Sequence, residues 1–96
     1  MTIGVIATLT MAEGKNDEFE KIFAELSAQV NEKEDGCNFY QVHKSRTDSQ
    51  VYVVLEQYAD QDALDAHGKT DYFRSLGKQM GGCMAGAPAV ELLDGV

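Results

Sequence analysis

Residues 51 to 58, Val-Tyr-Val-Val-Leu-Glu-Gln-Tyr, alternate like a strand and are apolar on both sides. Val51, Val53 and Leu55 share one face, and Tyr52, Val54 and Tyr58 share the other with Glu56. Such a strand needs cover on both faces, and few architectures supply it to a chain of 96 residues. With 44% hydrophobic and 25% charged residues the sequence has material for a single domain over residues 1 to 96, and too little for a second.

The flanking segments are read from their periods. Thr2 to Thr10 alternate, with Ile3, Val5, Ala7 and Leu9 on one side, which predicts a first strand. After the turn Glu13-Gly14-Lys15-Asn16, expected to cap a helix, Phe19, Ile22, Phe23, Leu26 and Val30 recur at helical spacing. That helix is expected to end near Asp35-Gly36, with the glycine in the left-handed closing conformation. Cys37 to Lys44 and Gln50 to Tyr58 read as a hairpin joined by Ser45-Arg46-Thr47-Asp48-Ser49. Asp60 caps a short helix through about Gly68, and Thr70 or Asp71 caps another carrying Phe73, Leu76 and Met80 until Gly81-Gly82 stops it. Met84 to Ala87 form a loop, and Ala89 to Asp94 resume alternation after Pro88.

The order β-α-β-β-α-α-β predicts an α+β, ferredoxin-like fold: a four-stranded antiparallel sheet with helices on one face. The other face, with Ile6 and the Val51, Val53, Leu55 row, is then left apolar and open. A homodimer with two sheets facing each other is the expected cover.

Charge and cysteines exclude several functions. A formal net charge of -8, with no basic stripe, opposes nucleic acid and anionic membranes. No apolar run approaches a membrane span, and the N-terminus lacks the pattern of a signal peptide, so the expected location is cytoplasmic. Cys37 and Cys83 have neither CxxC spacing nor histidines at zinc-ligand distances, which predicts idle thiols and no metal site. Gly81-Gly82 and Gly86 form no nucleotide-binding fingerprint, and no cofactor is expected.

Two polar residues sit where core is expected. His67 follows Leu64 by three positions and Ala63 by four, on the helix face that packs on the sheet. It reads either as a core histidine bonded to a carboxylate or as a general base. Glu56, on the Tyr52, Val54, Tyr58 face, must be paired, hydrated or protonated, and holding the His67 imidazole in one tautomer is one scaffold role open to it. Tyr40 and Asn38 are placed on one face of their strand with Val42, as groups that fill a core or orient a substrate oxygen; His43 falls on the other face. Phe19, Phe23, Phe73, Leu76 and Met80 are the expected walls of a cleft between sheet and helices.

The run Val53-Val54-Leu55-Glu56-Gln57-Tyr58, with Ala63-Leu64-Asp65-Ala66-His67 and Thr70-Asp71-Tyr72-Phe73, resembles the antibiotic biosynthesis monooxygenase family, and its small quinol monooxygenase-like members in particular. Asp35-Gly36-Cys37 and Pro88-Ala89-Val90-Glu91 extend the likeness along the chain. The resemblance implies a dimeric α+β barrel and a cofactor-independent oxidation of a small aromatic quinol or polyketide-like phenol by O2. It implies His67 and Glu56 as catalytic candidates, with Asn38, Tyr40, Tyr58, Tyr72 and Phe73 as substrate-binding candidates. Tyr58 stands where the family commonly carries tryptophan, and Tyr72 stands near a common histidine position. The alternatives are a small-ligand-binding or stress-associated protein without turnover, and an isomerase of a small signalling sugar phosphate.

Overall fold

A computed structural model describes all of residues 1–96. The elements are β1 (Ile3–Thr10), α1 (Asn16–Lys33), β2 (Cys37–Lys44), β3 (Val51–Tyr58), α2 (Gln61–Gly68), α3 (Asp71–Gly81) and β4 (Ala89–Asp94). The strands form one antiparallel sheet in the order β2-β3-β1-β4, the ferredoxin-like α+β arrangement expected from the sequence. No helix is long and apolar enough to cross a membrane.

The register sorts the side chains. Val5 pairs with Glu56 and Leu92, Ala7 with Val54 and Val90, and Tyr40 with Glu56, so these residues share the face beneath the helices. Phe19, Phe23, Leu26 and Val30 of α1 and Leu76 and Met80 of α3 close over that face, and Tyr52, Val54 and Tyr58 are buried under them. On the opposite face Phe39, Leu55 and Leu93 stay exposed. Every residue of β4, an edge strand of the sheet, is exposed, including Val90 at 58% and Leu92 at 57% on the helix side.

Helix ends follow local chemistry with two corrections. Asp60 accepts from the Ala63 backbone N–H at 2.8 Å and Thr70 accepts from that of Phe73 at 3.3 Å, so both short helices carry side-chain caps. The first helix has none: its N-cap is Lys15, and the preceding turn is made by Gly14, whose φ of 80° lies in the left-handed region. Gly36 does not adopt the left-handed closing conformation. It is small for another reason, since a Cβ there would stand 2.7 Å from the Ala63 Cβ where α2 crosses the end of α1.

Candidate active site

Between the sheet and the helices lies a cavity of about 410 Å³, within the usual size range for a small-molecule site. Its floor comes from Val5, Ala7, Leu9 and Val54, its sides from Phe23, Phe73 and Met80, and its open margin from Pro88, Val90 and Leu92. Polar side chains enter the lining at Tyr40, Glu56 and His67, and no lysine or arginine does. Of the walls expected from sequence, Phe19 and Leu76 do not reach the cavity; both are packed in the core.

His67 is 5% exposed and ringed by aromatics: Phe73 at 4.6 Å, and Tyr40 and Tyr58 at 5.3 Å each between ring centres. Its Nδ1 lies 2.9 Å from Glu34 Oε1 and 3.1 Å from Glu34 Oε2. The Tyr72 hydroxyl donates to the same Glu34 Oε2. Glu56 is therefore not the group that holds His67. Its own partner is the Tyr58 hydroxyl, which donates to Glu56 Oε1 at 2.6 Å. Burial pushes the Glu56 carboxyl above the ordinary carboxylate range, although the Tyr58 hydrogen bond and the nearby His67 pull the other way. Burial, reinforced by Glu56, also holds the Tyr58 and Tyr40 phenols well above their usual range, so both remain neutral donors.

The other candidates are distributed unevenly. Tyr40 and Phe73 line the cavity, and Tyr58 lies fully buried beneath it. Tyr72 lines a separate hollow with Glu34, Cys37 and Thr70. Asn38 is not on the Tyr40 face. A bulge between Cys37 and Phe39 breaks the simple alternation of β2, and Asn38 is exposed with its Nδ2 donating to Gln57 Oε1 at 2.8 Å. The thiols take no part: Cys83 is buried with Sγ 3.0 Å from Glu18 Oε2, and burial pushes Cys37 up to about 11.

Glu34 is the residue that sequence reasoning passed over. It lies within the charged run Glu32-Lys33-Glu34-Asp35, which reads as a solvated helix end. A signal was present, because Glu34 lies four positions after Val30 and continues the buried stripe of Phe19, Phe23, Leu26 and Val30.

Comparison with known proteins bears on the family and the fold. The family model for antibiotic biosynthesis monooxygenases matches residues 2–79, and so takes in α1, the hairpin, His67 and most of α3. The chain belongs to this family. A candidate antibiotic biosynthesis monooxygenase from Caulobacter crescentus is 53% identical over 99% of this chain and 90% of its own, with a TM-score of 0.97. A protein from Pseudomonas aeruginosa is 27% identical over 99% of this chain and 94% of its own, with a TM-score of 0.88. A structure from Mycobacterium tuberculosis, 22% identical over 100% of this chain and 96% of its own at a TM-score of 0.91, shares the fold. No curated protein matches the chain.

Proposed function

We propose that this family member is a cofactor-independent monooxygenase that oxidises a small aromatic quinol or polyketide-like phenol with O2. The observation that carries the reading is the composition of the cavity: an apolar chamber of about 410 Å³ whose polar lining is a buried histidine, a neutral phenol and a carboxyl biased toward its neutral form. An apolar ring fills such a space and presents its hydroxyl to His67. The ring then loses two hydrogens and gains one oxygen atom, while the second oxygen leaves as water. His67 takes the phenolic proton, the electron-rich anion passes an electron to O2, and the radical pair joins as a carbon-bound peroxide. The same ring carbon then loses its hydrogen as the O–O bond breaks and a carbonyl forms, and that hydrogen together with the proton held by His67 leaves with the second oxygen as water. A dry chamber favours this sequence because neither O2 nor the neutral ring is stabilised by water.

In this reading Glu56 and Tyr58 shape the polar end of the chamber, and Tyr40 orients the ring oxygen. The working form is a homodimer in which the exposed Phe39, Leu55 and Leu93 face is covered by a second copy. The phosphate-sugar alternative is disfavoured by a lining without lysine or arginine. Oxygen uptake measured against a panel of quinols and anthrones tests the reading, with His67→Ala as the control. Tight binding of the same compounds without oxygen consumption would replace turnover with ligand storage.

A further inference from the structure

We infer that Glu34, itself held by the Tyr72 hydroxyl, is a positioning residue that fixes His67 as its Nδ1–H tautomer and leaves the Nε2 lone pair for the occupant of the cavity. The inference rests on the geometry for the tautomer and on the proposed function for its catalytic consequence.

Glu34 is the C-cap residue of α1, and Tyr72 lies in the first turn of α3, so α1 and α3 meet His67 of α2 at one point. The His67 and Glu34 side chains are 6% and 12% exposed, so water competes weakly for either. An ionised carboxylate only accepts hydrogen bonds, and both Glu34 oxygens lie within reach of Nδ1, so Nδ1 carries the proton. Tyr72 reinforces this. Burial and the Glu34 hydrogen bond push its phenol up to about 12, which keeps it a donor at neutral pH and engages Oε2 from the other side. Glu34 and Tyr72 lie outside the cavity lining, in the neighbouring hollow, whereas His67 belongs to the lining. Nδ1 is thus occupied on the side away from the substrate space, and Nε2 is the nitrogen left to act as base. Free imidazole side chains favour the opposite tautomer, so without Glu34 the basic nitrogen would be the wrong one.

The arrangement predicts the behaviour of a near-isosteric change. In Glu34→Gln the Tyr72 hydroxyl still needs an acceptor, so the amide oxygen takes the Oε2 place and the NH2 group takes the Oε1 place beside Nδ1. The NH2 group then stands nearer to Nδ1, at the 2.9 Å place against 3.1 Å for the amide oxygen, which favours Nδ1 as acceptor and moves the proton to Nε2. Adding Tyr72→Phe removes the demand for an acceptor and lets the amide turn over.

The test is 15N-detected NMR of the His67 ring in the ligand-free protein, combined with quinol-oxidation kinetics. Wild type should show protonated Nδ1 and unprotonated Nε2; Glu34→Gln should reverse them; and Glu34→Gln with Tyr72→Phe should return part of the Nδ1–H population. In the kinetics, kcat of Glu34→Gln should fall on the order of a hundredfold with KM little changed, and should partly recover in the double variant. An Nε2–H tautomer in wild type, or one left unreversed by Glu34→Gln, overturns the inference without reference to any activity. If the tautomers behave as stated while His67→Ala keeps full turnover, the positioning stands and the monooxygenase assignment of His67 falls.

Discussion

The Tyr58 hydroxyl donates to Glu56 Oε1 at 2.6 Å, so two side chains on one face of a single strand satisfy each other inside the fold. A buried carboxyl without a partner costs several kcal/mol when ionised, and one hydrogen bond from a neutral phenol to the charged form returns only about 1.5 to 3 kcal/mol of that. Burial accordingly wins, and the Glu56 carboxyl is raised.

That direction fixes a pH dependence. The native state holds the Glu56 proton more tightly than the unfolded chain, so the stability associated with the neutral carboxyl is fully present below the ordinary value of 4.5. It is lost as pH rises through the raised native value. Glu56→Gln keeps a neutral acceptor for Tyr58 and does not titrate. Its melting temperature should therefore gain on that of wild type as pH rises from about 5 and level off once the wild-type carboxyl is ionised. A gap between the two proteins that stays constant with pH, or narrows, contradicts the raised carboxyl.

For His67→Ala two effects have to be separated. Removing the imidazole leaves the half-buried Glu34 with the Tyr72 hydroxyl alone and should cost about 1 to 3 kcal/mol of stability. If His67 is also the base, turnover per folded molecule should fall on the order of a hundredfold. Denaturant titration supplies the folded fraction and oxygen uptake the rate. Normal specific activity in the folded fraction would remove His67 from the mechanism.

Gly36→Ala should destabilise the fold by about 1 to 3 kcal/mol, because the added methyl would lie 2.7 Å from the Ala63 Cβ and push α2 off the end of α1. Gly77→Ala is the matched control: nothing lies within 4 Å of its Cβ position, and a mid-helix glycine replaced by alanine gains about 0.5 to 1 kcal/mol. Thermal melts should move in opposite directions for the two variants. A neutral Gly36→Ala would mean that α2 does not need this close approach.

Sedimentation equilibrium should give twice the chain mass of 10.5 kDa. The face to be covered holds Phe39, Leu55 and Leu93, with Ile6 paired directly beside Leu55. Leu55→Lys puts a charge in the middle of that face and should shift the equilibrium toward monomer by tenfold or more, since an unpaired buried charge costs well over the ~1.4 kcal/mol that a factor of ten requires. A wild-type monomer at micromolar concentration would end the dimer proposal.

Periodicity alone determined the element order, the helix-facing row of β3 and the placement of His67 on a packed helix face. Each of these depends on a residue's neighbours within a turn or a strand, where side-chain direction follows from backbone geometry. Asn38 was beyond that reach, because the bulge in β2 is set by its pairing with Gln57 and Tyr58 on another strand. The partner of His67 was beyond it too. Glu34 and Glu56 are both acids that local pattern places near the core, and choosing between them requires knowing that the end of α1 lies against α2 while Glu56 is already engaged by Tyr58. Phe19 and Leu76 show the same limit, since a helical stripe says that a residue is buried but not whether it meets packed core or open cavity. Local sequence sets which way each side chain faces, whereas the partner it meets is decided by how helices and sheet pack, a long-range balance of burial and polar pairing that no single stretch of chain carries.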